Sequence, residues 1–237
     1  MKKEARSDPR CAFKTMPLIR LINPNTSQAT TRMMTSIARS TLDSFFDLEG
    51  VTATDGVPMI LDAMQLAASE QGVVDMAVVD KNRLSGIIIG AFGDPAIDLV
   101  RKRVNCPVVG LCEASMLEAS AGARKFGIAT VTPRLVESFG AKADSLQLAH
   151  LFTGTRLTAG DPERLVASKE RLEEALFHAV QECFEKDGAD AVIIGGGPLG
   201  QVAFTLANRF RQPVIAPIPA AIRLLVQRMK DWTVDQT

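Results

Sequence analysis

Short apolar runs recur along the chain, each closed by a turn signal and followed by a stretch with helical periodicity. Leu18–Ile22 ends in Asn23-Pro24-Asn25-Thr26-Ser27, where Pro24 stops a strand and Thr26 or Ser27 can cap a helix running through Leu42. Leu48–Thr54 reads as a second strand and Ala63–Asn82 as helical material. Gly86–Ile89 is a buried strand that runs into the small-residue turn Gly90–Gly93. Asp94 and Pro95 then read as the N-cap and first position of a helix over Ala96–Val104. Pro107–Leu111 completes this set as a strand, with Glu113–Ala123 helical behind it.

The pattern then restarts. Phe126–Thr130 is a strand, Thr132-Pro133 opens a helix, and Leu151–Leu157 is an edge-type strand. Asp161-Pro162-Glu163 caps a long helix with Leu165, Leu172, Leu176, Ala179, Val180 and Cys183 on one face. Ala191–Ile194 and Pro213–Ala216 are strands, with helices over Gln201–Phe210 and Ala220–Trp232. The halves match at an offset of about 105–108 residues: Gly86-Ile-Ile-Ile-Gly90 with Ala191-Val-Ile-Ile-Gly195, Pro107-Val-Val-Gly110 with Pro213-Val-Ile-Ala216, and Leu18–Ile22 with Phe126–Thr130. Two copies of one α/β unit predict two lobes with parallel sheets that face each other across a cleft. The expected division is a flexible extension over 1–16, lobe one over 17–112 joined by 217–237, and lobe two over 113–216.

Composition narrows the classes. The 237 residues carry 27 Lys and Arg against 27 Asp and Glu and no Tyr, which argues against an electrostatic or base-stacking nucleic-acid binder. No apolar run has the roughly 18–20 residues needed to span a bilayer, and the basic start lacks an apolar signal core. Four cysteines without CxxC spacing are ordinary cytosolic usage, so a cytoplasmic protein is expected. His150 and His178 share no metal-ligand spacing, and neither metal nor cofactor is expected.

Candidate chemistry sits at the strand ends. Gly195-Gly196-Gly197-Pro198-Leu199-Gly200 formally fits G-x-G-x-x-G, but Pro198 and the absence of an acid about twenty residues on argue against a dinucleotide. It reads instead as a bare turn that lets a small ligand approach backbone N–H groups. Asn23, Asn25 and Thr26 are either a helix start or an amide-and-hydroxyl ligand surface, with Thr130 and Thr132 as counterparts. Asp94 is an N-cap or a site carboxylate. Glu113 either complements a helix dipole or projects into the cleft, and Cys112 is either a small buried hydrophobe or a nucleophile.

Ile19-Arg20-Leu21-Ile22-Asn23-Pro24-Asn25-Thr26-Ser27, Phe92-x-Asp94-Pro95, Pro107-Val-Val-Gly-Leu-x-Glu113-Ala114 and Phe126-Gly-Ile-x-Thr130 together resemble the aspartate/glutamate/hydantoin racemase family, in its hydantoin and allantoin branch. The resemblance runs from Met16 to Trp232. It implies an α/β fold of two pseudo-symmetric, Rossmann-like lobes and a cofactor-independent isomerase, a homo-oligomer, acting on a hydantoin- or allantoin-like ureide or an amino-acid carboxylate. It also implies a cysteine on each side of the substrate's stereocentre, one thiolate removing the α-proton and the opposite thiol returning one. Those positions are Ala91 and Gly196 here, and neither residue carries a proton. The substrate-binding residues carried over are Asn23, Asn25, Thr26, Ala91, Phe92, Gly93, Asp94, Thr130, Thr132, Gly196, Gly197 and Pro198. Cys112 and Glu113 are the acid–base candidates that remain. The alternative is a divergent lyase, hydrolase or non-catalytic binder that kept the cleft.

Overall fold

The computed structural model describes residues 16–234; all of the expected N-terminal extension except Met16 lies outside the described residues. In the first lobe, β1 (Leu18–Asn23), β2 (Asp47–Thr52), β3 (Leu84–Ile89) and β4 (Val108–Gly110) form a parallel sheet in the order β2-β1-β3-β4. In the second, β5 (Phe126–Thr130), β6 (Phe152–Leu157), β7 (Ala191–Ile194) and β8 (Val214–Ile215) repeat that order as β6-β5-β7-β8. The internal echo in the sequence is thus a repeat of topology. In each sheet the chain steps outward from the first strand and then returns to its other side. A crevice opens there beyond the strands' carboxyl ends, between β1 and β3 in one lobe and between β5 and β7 in the other.

Helices cover the sheets where periodicity predicted them, with differences that matter near the site. α1 (Gln28–Thr41) is capped by Ser27, whose side chain accepts from the Thr30 N–H. The helical stretch expected over 63–82 is broken at Ser69 into α2 (Ala63–Ala68) and α3 (Glu70–Val78). α2 has no buried residue, so packing does not hold the two in one line. α4 (Ile97–Arg101) follows a turn in which Asp94 and Ala96 both adopt left-handed backbone, with φ of 52° and 57°. α5 (Leu111–Ala119) starts directly after β4, two residues earlier than expected.

In the second lobe, α6 (Val136–Ser145) begins three residues after Pro133, because Thr132–Leu135 forms a hydrogen-bonded turn first. Asp161 caps only the short α7 (Pro162–Val166), which takes Leu165 out of the predicted face; the long amphipathic helix is α8 (Lys169–Glu185), which buries Leu172, Leu176, Ala179, Val180 and Cys183. α9 (Gly200–Leu206) follows the glycine-rich turn, and α10 (Pro217–Val234) crosses back to pack on α5, α1 and β3 of the first lobe.

One apolar core joins the lobes. Ile19, Leu21 and Phe92 of the first share it with Phe126, Ile128 and Phe139 of the second. The Phe92 and Phe139 rings meet edge to face at 5.2 Å, an arrangement that aromatic quadrupoles favour. A contiguous core of this kind fixes the distance between the two strand-end turns.

Candidate active site between two strand-end turns

The cleft forms where the two crevices face each other. Gly90, Ala91 and Phe92 line it from the end of β3, and Gly195 through Leu199 from the end of β7. Asn25 enters from the end of β1, and Val131 and Thr132 from the end of β5. Leu135 and Phe139, with Met59 and Ile60 of the segment leading into α2 and Leu66 of α2 itself, complete an apolar wall. The cleft holds about 480 Å³ of atom-free space, its mouth included.

Glycine lets the turns approach. A Cβ on Gly197 would lie 2.8 Å from the Gly90 carbonyl oxygen, closer than Cβ atoms come to backbone. Gly196 has φ of 153° and ψ of 132°, a backbone that side chains rarely adopt, and a Cβ there would sit 3.0 Å from Leu199. The N–H groups of Ala91, Phe92, Gly196 and Gly197 have no acceptor among the described residues, unlike those of Gly90 and Gly195, which bond to Ile22 and Ala129. Residues that line the cleft from both lobes therefore carry backbone N–H groups without an acceptor among the described residues. None of the described residues that line the cleft has an ionisable side chain.

The carried-over residues divide into those that reach the cleft and those that support it. Asn25, Ala91, Phe92, Thr132, Gly196, Gly197 and Pro198 line it; Asn23, Thr26, Gly93, Asp94 and Thr130 do not. Asn23 is fully buried and spends its amide on Asn25, Ser27 and Thr31, which braces the Asn25 side chain. The Thr26 N–H bonds to Val57 and ties down the segment carrying Met59. Thr130 bridges β5 to the Gly195 carbonyl at 2.6 Å.

Asp94 does not cap α4, as its position before Pro95 suggested. Its carboxylate reaches across to the start of α5 and accepts from the N–H groups of Cys112 and Glu113, both at 2.8 Å. Lys142 of α6 completes the group at 3.1 Å, linking the lobes. Burial pushes the Asp94 carboxyl above the usual aspartate range, against the pull of Lys142 and the two N–H groups. Gly110 makes room for this reach, since a Cβ there would collide with the Asp94 carboxylate.

Glu113 and Cys112 take the non-catalytic of their two alternatives: Glu113 stands in the first turn of α5, Cys112 is a buried hydrophobe, and neither lines the cleft. Glu113 points away from the cleft and pairs with Arg101 and Arg228, each at 2.7 Å. Burial raises its pKa, but Arg228 and Arg101 outweigh this and hold the carboxyl below its ordinary range. Such a carboxylate is an ionised structural partner, not a proton donor at neutral pH. The Cys112 thiol is fully buried in the joint core, and burial together with Asp94 pushes its pKa well up. It stays protonated and closed to a ligand.

Sequence reading missed Met59, Ile60 and Leu66. The apolar run Val57-Pro58-Met59-Ile60-Leu61 between a turn and a helix was the available signal. Asp62 then pins this segment at the mouth, accepting from the Gln65 N–H at 2.8 Å and lying 3.6 Å from Arg134 of the second lobe.

Comparison with known proteins agrees with the fold. The family model for Asp/Glu/Hydantoin racemase matches residues 19–225. A hydantoin racemase from a Pseudomonas species is 29% identical over 213 residues, 86% of this chain and 83% of that protein. A hydantoin racemase from Paenarthrobacter aurescens is 29% identical over 217 residues, 87% of this chain and 88% of that protein. Among solved structures, allantoin racemase from Klebsiella pneumoniae superposes with a TM-score of 0.84 at 25% identity, covering 89% of this chain and 86% of that one. The two-lobed fold, the repeat and the matched span agree: this chain belongs to the Asp/Glu/hydantoin racemase family.

Proposed function

We propose that this chain receives a hydantoin-like cyclic ureide between its lobes and promotes exchange of the proton beside the ureide's carbonyl. The observation that supports the reading is the set of unpartnered N–H groups at Ala91, Phe92, Gly196 and Gly197, all residues that line a largely apolar cleft whose polar side chains are Asn25 and Thr132. When solvent hydroxide takes the α-proton, the electron pair moves onto the carbonyl oxygen. Backbone donors held at that oxygen stabilise the enolate; reprotonation by water on the original face returns the starting enantiomer and on the opposite face inverts it, so the two together racemise the centre. The family resemblance assigns the proton transfers to thiols at positions 91 and 196, but alanine and glycine stand there, so solvent carries the proton in this reading. The reading also includes a cytoplasmic homo-oligomer without a cofactor.

A second reading, binding without turnover, is favoured by the lack of any ionisable side chain among the described lining residues. Exchange of the α-proton in D₂O, followed by NMR over a panel of hydantoins and allantoin, separates the two. The enzyme reading expects exchange above the protein-free rate that rises linearly with hydroxide and shows no bell-shaped pH profile. Thermal stabilisation by the same compounds without added exchange supports the binder. A ligand panel that neither binds nor exchanges removes both.

A further inference from the structure

Which hydrogens face the cleft follows from counting donors. A threonine hydroxyl has one hydrogen to give. Thr130, fully buried, gives its hydrogen to the Gly195 carbonyl at 2.6 Å. The 3.1 Å contact between the Thr130 and Thr132 hydroxyls therefore uses the hydrogen of Thr132. Thr132 lines the cleft and is left with lone pairs only.

On the opposite lobe the same count gives the reverse polarity. Asn25 Oδ1 accepts from Asn23 Nδ2 at 2.8 Å and from the Ser27 N–H at 3.0 Å. Flipping the Asn25 amide would set its NH₂ against both donors. Its Nδ2, which has no acceptor among the described residues, is the group left for a ligand.

We infer that Thr130 is a positioning residue that makes Thr132 an acceptor, so that the cleft selects an uncharged ligand donating an N–H to Thr132 while offering a carbonyl to Asn25. This deepens the ureide reading and rests on it. A ureide edge carries N–H beside C=O and satisfies both sides. A carboxylate can use Asn25 and the backbone donors, but it brings acceptors only, meets the lone pairs of Thr132, and finds no Lys, Arg or His among the described lining residues. An unmade buried hydrogen bond costs about 1–3 kcal/mol, so discrimination of tenfold or more in Kd is expected.

Calorimetry on the full chain with hydantoin, 1,3-dimethylhydantoin and the ring-opened N-carbamoyl amino acid tests the inference. Hydantoin is expected to bind tightest, by roughly tenfold over either analogue. Thr132→Ala should abolish the difference between hydantoin and its dimethyl analogue, which separates the hydrogen bond from methyl bulk. Thr130→Val frees the Thr132 hydrogen and should narrow the gap to the carbamoyl acid, whereas Thr130→Ser should keep it. If wild type binds hydantoin but takes the dimethyl compound or the carboxylate equally well, the polarity inference is overturned and the ureide reading stands. If no ureide binds, the reading itself falls.

Discussion

Asp94→Asn should destabilise the protein by about 2–4 kcal/mol, although it changes only one atom type. The wild-type carboxylate is fully buried and takes three donors: two backbone N–H groups at the α5 start and the Lys142 ammonium. An asparagine keeps one acceptor oxygen and turns its NH₂ toward either an N–H or Lys142, two donors face to face. Hydrogen bonds to charged groups are worth about 1.5–3 kcal/mol each. Breaking a buried pair from one side costs about 3–5 kcal/mol, most of it the charge left behind; this is the expectation for Asp94→Ala. Part of that penalty is relieved for Lys142, which keeps slight exposure. Equilibrium urea unfolding followed by far-UV circular dichroism measures the loss. On a Lys142→Met background the cost of Asp94→Asn should shrink by about 1 kcal/mol or more, the coupling expected for contacting groups. A wild-type-like midpoint for Asp94→Asn would falsify the assignment of Asp94 as the clasp between the lobes.

Glu113→Gln should cost about 1–3 kcal/mol at neutral pH, and its effect should vanish in acid. The folded carboxyl is held below its ordinary value, so its contribution is full above that value and fades as pH falls through the depressed one. The difference in melting temperature between variant and wild type should therefore hold down to the ordinary glutamate range, about pH 4.3, and narrow as the pH falls further; a constant difference down to about pH 2.5 contradicts the ion-pair role. Gly196→Cys should lose roughly 1–3 kcal/mol because its backbone is left-handed, while Ala91→Cys, on ordinary backbone, should lose less than about 1 kcal/mol. Equal stabilities of the two in urea would show that the turn at Gly196 adapts freely. Cys112 should resist iodoacetamide in the native protein at pH 8 and react in urea, read by mass spectrometry of the peptide; native labelling would contradict its burial.

The apolar runs, the offset between the halves and the proline- and glycine-marked turns were enough to place the strands, the repeat and the two facing turns. These are local signals: a buried parallel strand must be apolar along its length, and a backbone that touches another must lack Cβ. Asn25, Thr132 and Gly196 were legible for the same reason, since each follows directly from the end of a strand. What neighbours do to a charge was not legible. Asp94 looks like a local cap because Pro95 follows it, yet its carboxylate serves α5 from 18 residues away in sequence. Glu113 looks like a free acid at a strand end, but Arg228, more than a hundred residues on, returns on α10 to neutralise it. The hydrogen of Thr132 is likewise decided by Gly195, through Thr130. The sequence alone determined where backbone could be bare enough to hold a ligand. Tertiary structure decided which polar groups remain free to meet it, because only packing brings together the partners that consume the rest.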